Sequence, residues 1–118
     1  MKLRLHSNTV RLRLSQSEVS RLAETGRVEE SIQFAPDRAL SYVIESGSVP
    51  EISATFDGSR VRVSLPANVA KAWIGSDQTG VEGKTDTLRV LVEKDFVCLH
   101  GPGAEDADAF PNPLATKS

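Results

Sequence analysis

Cys98 and His100 stand two residues apart at the end of the stretch Asp95-Phe96-Val97-Cys98-Leu99-His100. At the two-residue period of a strand, both side chains fall on one face. A thiolate and an imidazole so placed, with Asp106 and Asp108 a short loop away, are the beginnings of a zinc or other transition-metal site. Structural zinc usually takes two such pairs, and Cys98 is the only cysteine. His6 could serve as a third ligand only if the N-terminal strand lies beside the last one. The same pair could act as nucleophile and base, but no third group orients the imidazole. The plainer reading, which the spacing favours, is a strand-end cysteine beside an exposed histidine.

A second group is basic. Arg11 and Arg13 alternate with Val10, Leu12 and Leu14, and Arg60 and Arg62 alternate with Val61, Val63 and Leu65. If the strands close into a barrel, these guanidiniums line its interior with Lys2, Arg4 and Glu93 and could hold a polyanion such as triphosphate. If they do not, the arginines are a solvated sheet face, and alternation alone does not decide. A third group is Lys94, Asp95 and Phe110. Lys94-Asp95 and the stretch Asp106–Asp108 could fasten the tail to the last strand through ion pairs, with Phe110 filling an apolar groove. Phe110 and Pro111 could instead dock on a protein partner.

The elements that must place these residues repeat. The stretch VRLRLSQSEVSRL, residues 10–22, comes back as VRVSLPANVAKAW, residues 61–73. Each is an alternating strand running into a short amphipathic helix. Residues 2–14 read as a hairpin turning at Ser7-Asn8. Ser15 and Glu18 have capping-box spacing; Val19, Leu22 and Ala23 form the apolar face, and Gly26 ends the helix. Residues 28–34 and 40–45 alternate as strands around Ala35-Pro36-Asp37. Residues 52–56 and 61–65 form a hairpin at Asp57-Gly58. Pro66 opens a second helix with Val69, Ala70, Ala72 and Trp73 on its apolar side, and Gly75 closes it. Strands around residues 81–82 and 88–92 follow.

The expectation is an α+β fold. A ββαββ unit occurs twice, over about 2–46 and 51–99, giving about eight mainly antiparallel strands. They would form a sandwich or barrel with two short helices outside. The 118 residues suit a single domain, with an irregular tail over 101–118. Hydrophobic residues make up 39% and charged residues 25%, as in a folded soluble protein, and the net charge of −2 does not favour a nucleic-acid partner. One cysteine allows no internal disulfide, and no apolar run reaches membrane-spanning length, so a cytoplasmic setting without a membrane partner is expected.

Two resemblances add to this reading. The blocks RLRLSQSEVSRLAETGRVEES and LRVLVEKDFVCLH…EDADAFPNP together resemble a family of small bacterial proteins classed as a domain of unknown function. That resemblance covers nearly the whole chain and implies a bacterial cytoplasmic protein, but no activity. At the level of fold, the chain is similar to the CYTH-like triphosphate tunnel enzymes. Their N-terminal strand reads E-x-E-x-K, whereas this one reads KLRLH, with bases in place of the metal-binding acids.

The functional expectation is a small non-catalytic binding or interaction domain. Its contact residues would be drawn from Arg11, Arg13, Arg60, Arg62, Lys94 and Phe110. Its partner would be a protein, a small anion or a second copy of the chain. The alternatives are a metal-binding protein or metal-dependent enzyme using Cys98, His100, Asp106 and Asp108 with zinc, and a phosphate-binding basic barrel.

Overall fold

In the computed structural model, which describes residues 1–95 and Phe110, the N-terminal alternation forms a tight hairpin. Strands β1 (Lys2–His6) and β2 (Thr9–Leu14) are joined by Ser7 and Asn8, both at positive φ. A two-residue turn fixes the register, so Arg4 lies opposite Arg11 and Lys2 opposite Arg13. Helix α1 (Gln16–Thr25) follows, capped by Ser15 and closed by Gly26 in the left-handed region. It leads to β3 (Arg27–Ala35) and β4 (Arg38–Gly47). The order then recurs as β5 (Ser53–Phe56), β6 (Arg60–Pro66), α2 (Ala67–Ile74), β7 (Gly80–Thr85) and β8 (Leu88–Lys94).

The two units interlock. One sheet has the order β1-β2-β8-β7 and the other β3-β4-β6-β5. Each unit therefore gives its first hairpin to one sheet and its second hairpin to the other. The helix between them carries the chain across. Within each sheet the hairpins are antiparallel, and the central join is parallel, β2 to β8 and β4 to β6.

The register repeats as well. Val10, Arg11, Leu12 and Arg13 pair with Val90, Leu91, Val92 and Glu93. At the corresponding places Val61, Arg62, Val63 and Ser64 pair with Tyr42, Val43, Ile44 and Glu45.

Period-two alternation turns Leu12, Leu14, Val90 and Val92 of one sheet, and Ile44, Val63 and Leu65 of the other, into a shared core with Leu22 and Trp73 from the helices. All of these side chains are essentially fully buried. Each contributes about 1.5–3 kcal/mol by leaving water. The core draws on both units.

Three expectations are corrected. The two sheets are not closed into a barrel, so no lumen exists for the arginines to line and no tunnel of the CYTH type forms. Ala23 and Ala72, expected on the apolar helix faces, are exposed. Ile32 and Phe34 alternate correctly but remain 44% and 71% exposed, because their hairpin outruns its neighbour. The β4–β6 ladder begins only at Ser41, so the tip of β3-β4 has no β6 residues beside it.

A polar cluster ties α1 to β3. Glu18 accepts the Ser15 N–H at 2.9 Å, and the Met1 ammonium lies between the Glu18 and Glu30 carboxylates. The Tyr42 hydroxyl donates to the Met1 carbonyl at 3.0 Å. Burial pushes the Glu18 carboxyl up, but its hydrogen bonds outweigh that and hold it below the ordinary value. Burial pushes the Met1 ammonium down, and its two carboxylate partners more than reverse it.

A depressed acid stabilises the fold above the ordinary carboxylate range and loses that contribution as pH falls through its folded value. A raised ammonium stabilises below its ordinary value and loses that contribution as pH rises through its folded value. Glu18→Gln is therefore expected to cost about 1–2 kcal/mol at neutral pH. The gap should narrow in acid below the ordinary carboxylate range and in alkali above the ordinary α-amino range. Urea unfolding of both proteins across this range checks it, and a pH-independent gap would contradict it.

Candidate functional site

The outer faces of the two sheets carry the arginines. On the β3-β4-β6-β5 sheet they form a closed network. Arg60 reaches Glu29 at 3.1 Å, Glu29 also holds Arg27 at 2.7 Å, and Glu45 holds Arg62 at 3.1 Å. Val43 lies between Glu29 and Arg62 in the register and is 0% exposed. These side chains therefore seal the face above it. A small hollow of about 160 Å³ lies beside them, lined by Thr55, Phe56, Asp57, Arg60 and Arg62. Asp57 accepts the backbone N–H groups of Ser59 and Arg60, which hold its carboxyl below the ordinary value.

The β1-β2-β8-β7 sheet uses the same register but stays open. Arg11 takes the place of Arg62 and meets Glu93 at 3.3 Å, as Arg62 meets Glu45. Leu91 takes the place of Val43, and Thr9 takes the place of Arg60. The short Thr9 cannot reach across. The acid at the Glu29 position, Glu82, is drawn instead to Arg89 through bonds of 2.9 and 2.7 Å from Nε and Nη2. Leu91 is left as the half-buried floor of a concavity of about 330 Å³. Its walls are Arg4, His6, Ser7, Thr9, Arg11 and Arg89, with no carboxylate among them.

The electrostatics of this face are one-sided. By strand alternation it presents Lys2, Arg4, Arg11, Arg13, Lys84 and Arg89 against Glu82 and Glu93. Arg13 shares Glu93 with Arg11, and Lys2 pairs with Asp95 at 3.0 Å. Arg4 has no ion pair among the described residues. Like charges directly opposite across a strand pair are destabilising, and here Arg4 faces Arg11 and Lys2 faces Arg13. Arg11 Nε is shielded from solvent and faces Glu93 Oε1 at 3.3 Å, an ion pair without hydrogen-bond geometry. A surface that carries such a mismatch inside a protein of net charge −2 concentrates a positive field on one side.

The rim is rigid. The Asn8 side chain donates to the Thr87 carbonyl at 2.8 Å and to its hydroxyl at 3.0 Å. The Arg89 N–H donates to the Asn8 carbonyl at 3.1 Å. The β1-β2 turn is thus tied to the β7-β8 turn, and the arginine stems of three strands are held in fixed relation.

The remaining sequence candidates fall elsewhere. Lys94 turns inward and is 6% exposed, its ammonium donating to the Ser76 carbonyl at 2.6 Å. It lies 5.9 Å from the Trp73 ring centre and 5.5 Å from that of Phe110. Burial pushes its pKa down, and Asp77 only partly offsets this. Phe110 packs against the core, and its N–H donates to the Asp95 carbonyl at 2.6 Å, so it anchors the chain here.

Asp95 pairs with Lys2. Cys98, His100, Asp106 and Asp108 lie outside the described residues. Strand β2 separates β1, with His6, from β8, so the N-terminal strand is not beside the last described strand. Among the described residues no three His, Cys, Asp or Glu side chains gather as metal ligands, and no helix is long and apolar enough to cross a membrane.

Arg11 is among the residues that the sequence singles out, whereas Ser7, Thr9 and Arg89, which also line the hollow, are not. The available signal was the Ser7-Asn8 turn, whose two-residue length already sets Arg4 opposite Arg11. No curated protein and no solved structure matches the chain. A family model does match it over residues 1–114, and the chain belongs to that family, which is described as a family of unknown function (DUF7009).

Proposed function

We propose that this protein is a small, non-catalytic, cytoplasmic binding domain that holds an anionic ligand on the outer face of its β1-β2-β8-β7 sheet. The observation that carries this reading is the contrast between two equivalent positions. One sheet spends its glutamates sealing the arginine face, and the other leaves Arg4, Arg11 and Arg89 around an open hollow. A lone cysteine fits the reducing setting.

The test is thermal unfolding with tripolyphosphate at constant ionic strength. Saturable stabilisation is expected, because a ligand that binds only the folded state raises the midpoint. Arg4→Ala should weaken the apparent affinity about ten-fold, the size of one lost charge-assisted fork. Arg60→Ala, on the sealed face, should leave it unchanged. Equal responses from all three proteins would contradict the reading.

A further inference from the structure

We infer that the group held in the hollow is a tetrahedral oxyanion, the phosphoryl group of a small phosphate monoester; this rests on the anion-binding reading above. The argument is one of donor geometry. A carboxylate offers two coplanar oxygens, and one guanidinium fork satisfies them. A phosphoryl group offers three terminal oxygens in three directions and up to two charges.

The hollow presents three guanidiniums from three adjacent strands. Arg4 and Arg11 face each other across β1 and β2, and Arg89 stands on β8 one row nearer the turns. Thr9 lies in register with Arg89 and lines the hollow between the arginines, and Ser7 lines its turn side.

Arg89 is already oriented by Glu82 through Nε and Nη2. Arg11 is steadied by Glu93, whose Oε1 lies 3.3 Å from its Nε. Arg4 completes the triangle and has no partner of its own among the described residues. A volume of about 330 Å³ exceeds one phosphoryl group and leaves room over the apolar Leu91 floor for a compact organic body.

The experiment compares inorganic phosphate, sulfate, acetate and citrate at constant ionic strength, by thermal shift and by isothermal titration. Phosphate and sulfate are expected to bind saturably, and citrate about ten-fold more weakly despite its greater charge. Arg4→Lys keeps the charge but loses the planar fork, so it should weaken phosphate nearly as much as Arg4→Ala, about ten-fold. Arg60→Ala should match the wild type. Citrate binding as tightly as phosphate, and equally sensitive to Arg4→Ala, would overturn the oxyanion assignment while leaving the anion-binding face standing. Full retention of phosphate by Arg4→Lys would overturn the fork geometry. Binding by no anion, or binding unaffected by Arg4→Ala, would remove both.

Discussion

Trp73→Ala is expected to destabilise the protein by about 3–5 kcal/mol, a large share of the 5–15 kcal/mol typical of a domain. Trp73 is fully buried and joins α2 to the core shared by both sheets. One term acts against this. Its indole N–H is buried without a hydrogen-bond partner among the described residues, which costs about 1–3 kcal/mol that alanine would relieve. The lost volume wins, because a helix-to-sheet contact of this size leaves a cavity that the strands cannot close. Trp73→Phe separates the two terms, since it keeps most of the ring and drops the orphan donor. It should cost no more than about 1 kcal/mol. Since Trp73 is the only tryptophan, urea unfolding is best followed by circular dichroism. Equal losses in both variants would contradict this account.

The second large effect is at Gly83, where valine should cost about 2–3 kcal/mol although it suits a strand better. Strand propensity favours valine by up to about 1 kcal/mol. A Cβ on Gly83 would, however, stand 2.6 Å from Ile52 Cβ and 2.9 Å from both its Cγ2 and its carbonyl oxygen. Backbone is among the obstacles, so the neighbour cannot simply rotate away, and overpacking outweighs propensity. The double variant Ile52→Gly with Gly83→Ala should recover part of the loss of Gly83→Ala, because glycine at 52 removes both the Cβ and the Cγ2 that the new methyl would meet. Strict additivity in unfolding midpoints would contradict the clash.

This contact has a counterpart in the other unit. Gly83 pairs with Val90 as Glu30 pairs with Tyr42, and Ile52 lies on Gly83 where Met1 lies on Glu30. One position is thus filled by an apolar side chain over glycine and the other by an ammonium over a carboxylate.

Much of this was legible in the sequence, for stated physical reasons. Period-two alternation and the turn signals at Ser7-Asn8 and Asp57-Gly58 place the hairpins, and Ser15, Pro66, Gly26 and Gly75 bound the helices. The partner sheet of each hairpin was not legible. Alternation says which residues share a face but not which face looks at the other sheet, and the exchange of hairpins between sheets is a long-range choice. For the same reason Arg11, Arg13, Arg60 and Arg62 looked equivalent. Their difference lies in Thr9 against Arg60 and in the direction of Glu82 against Glu29, which only the cross-strand register reveals. Lys94 gave no sign of burial, because nothing in a local pattern announces a cation enclosed by Trp73 and Phe110.

The central claim is that one outer sheet face binds an anion and the equivalent face does not. Amide chemical shifts followed by nuclear magnetic resonance during a phosphate titration test it most directly. Saturable shifts confined to residues 4–11 and 89–91, with residues 55–62 unmoved, are expected. Shifts of equal size on both sheets, or a linear drift across the whole chain, would contradict it.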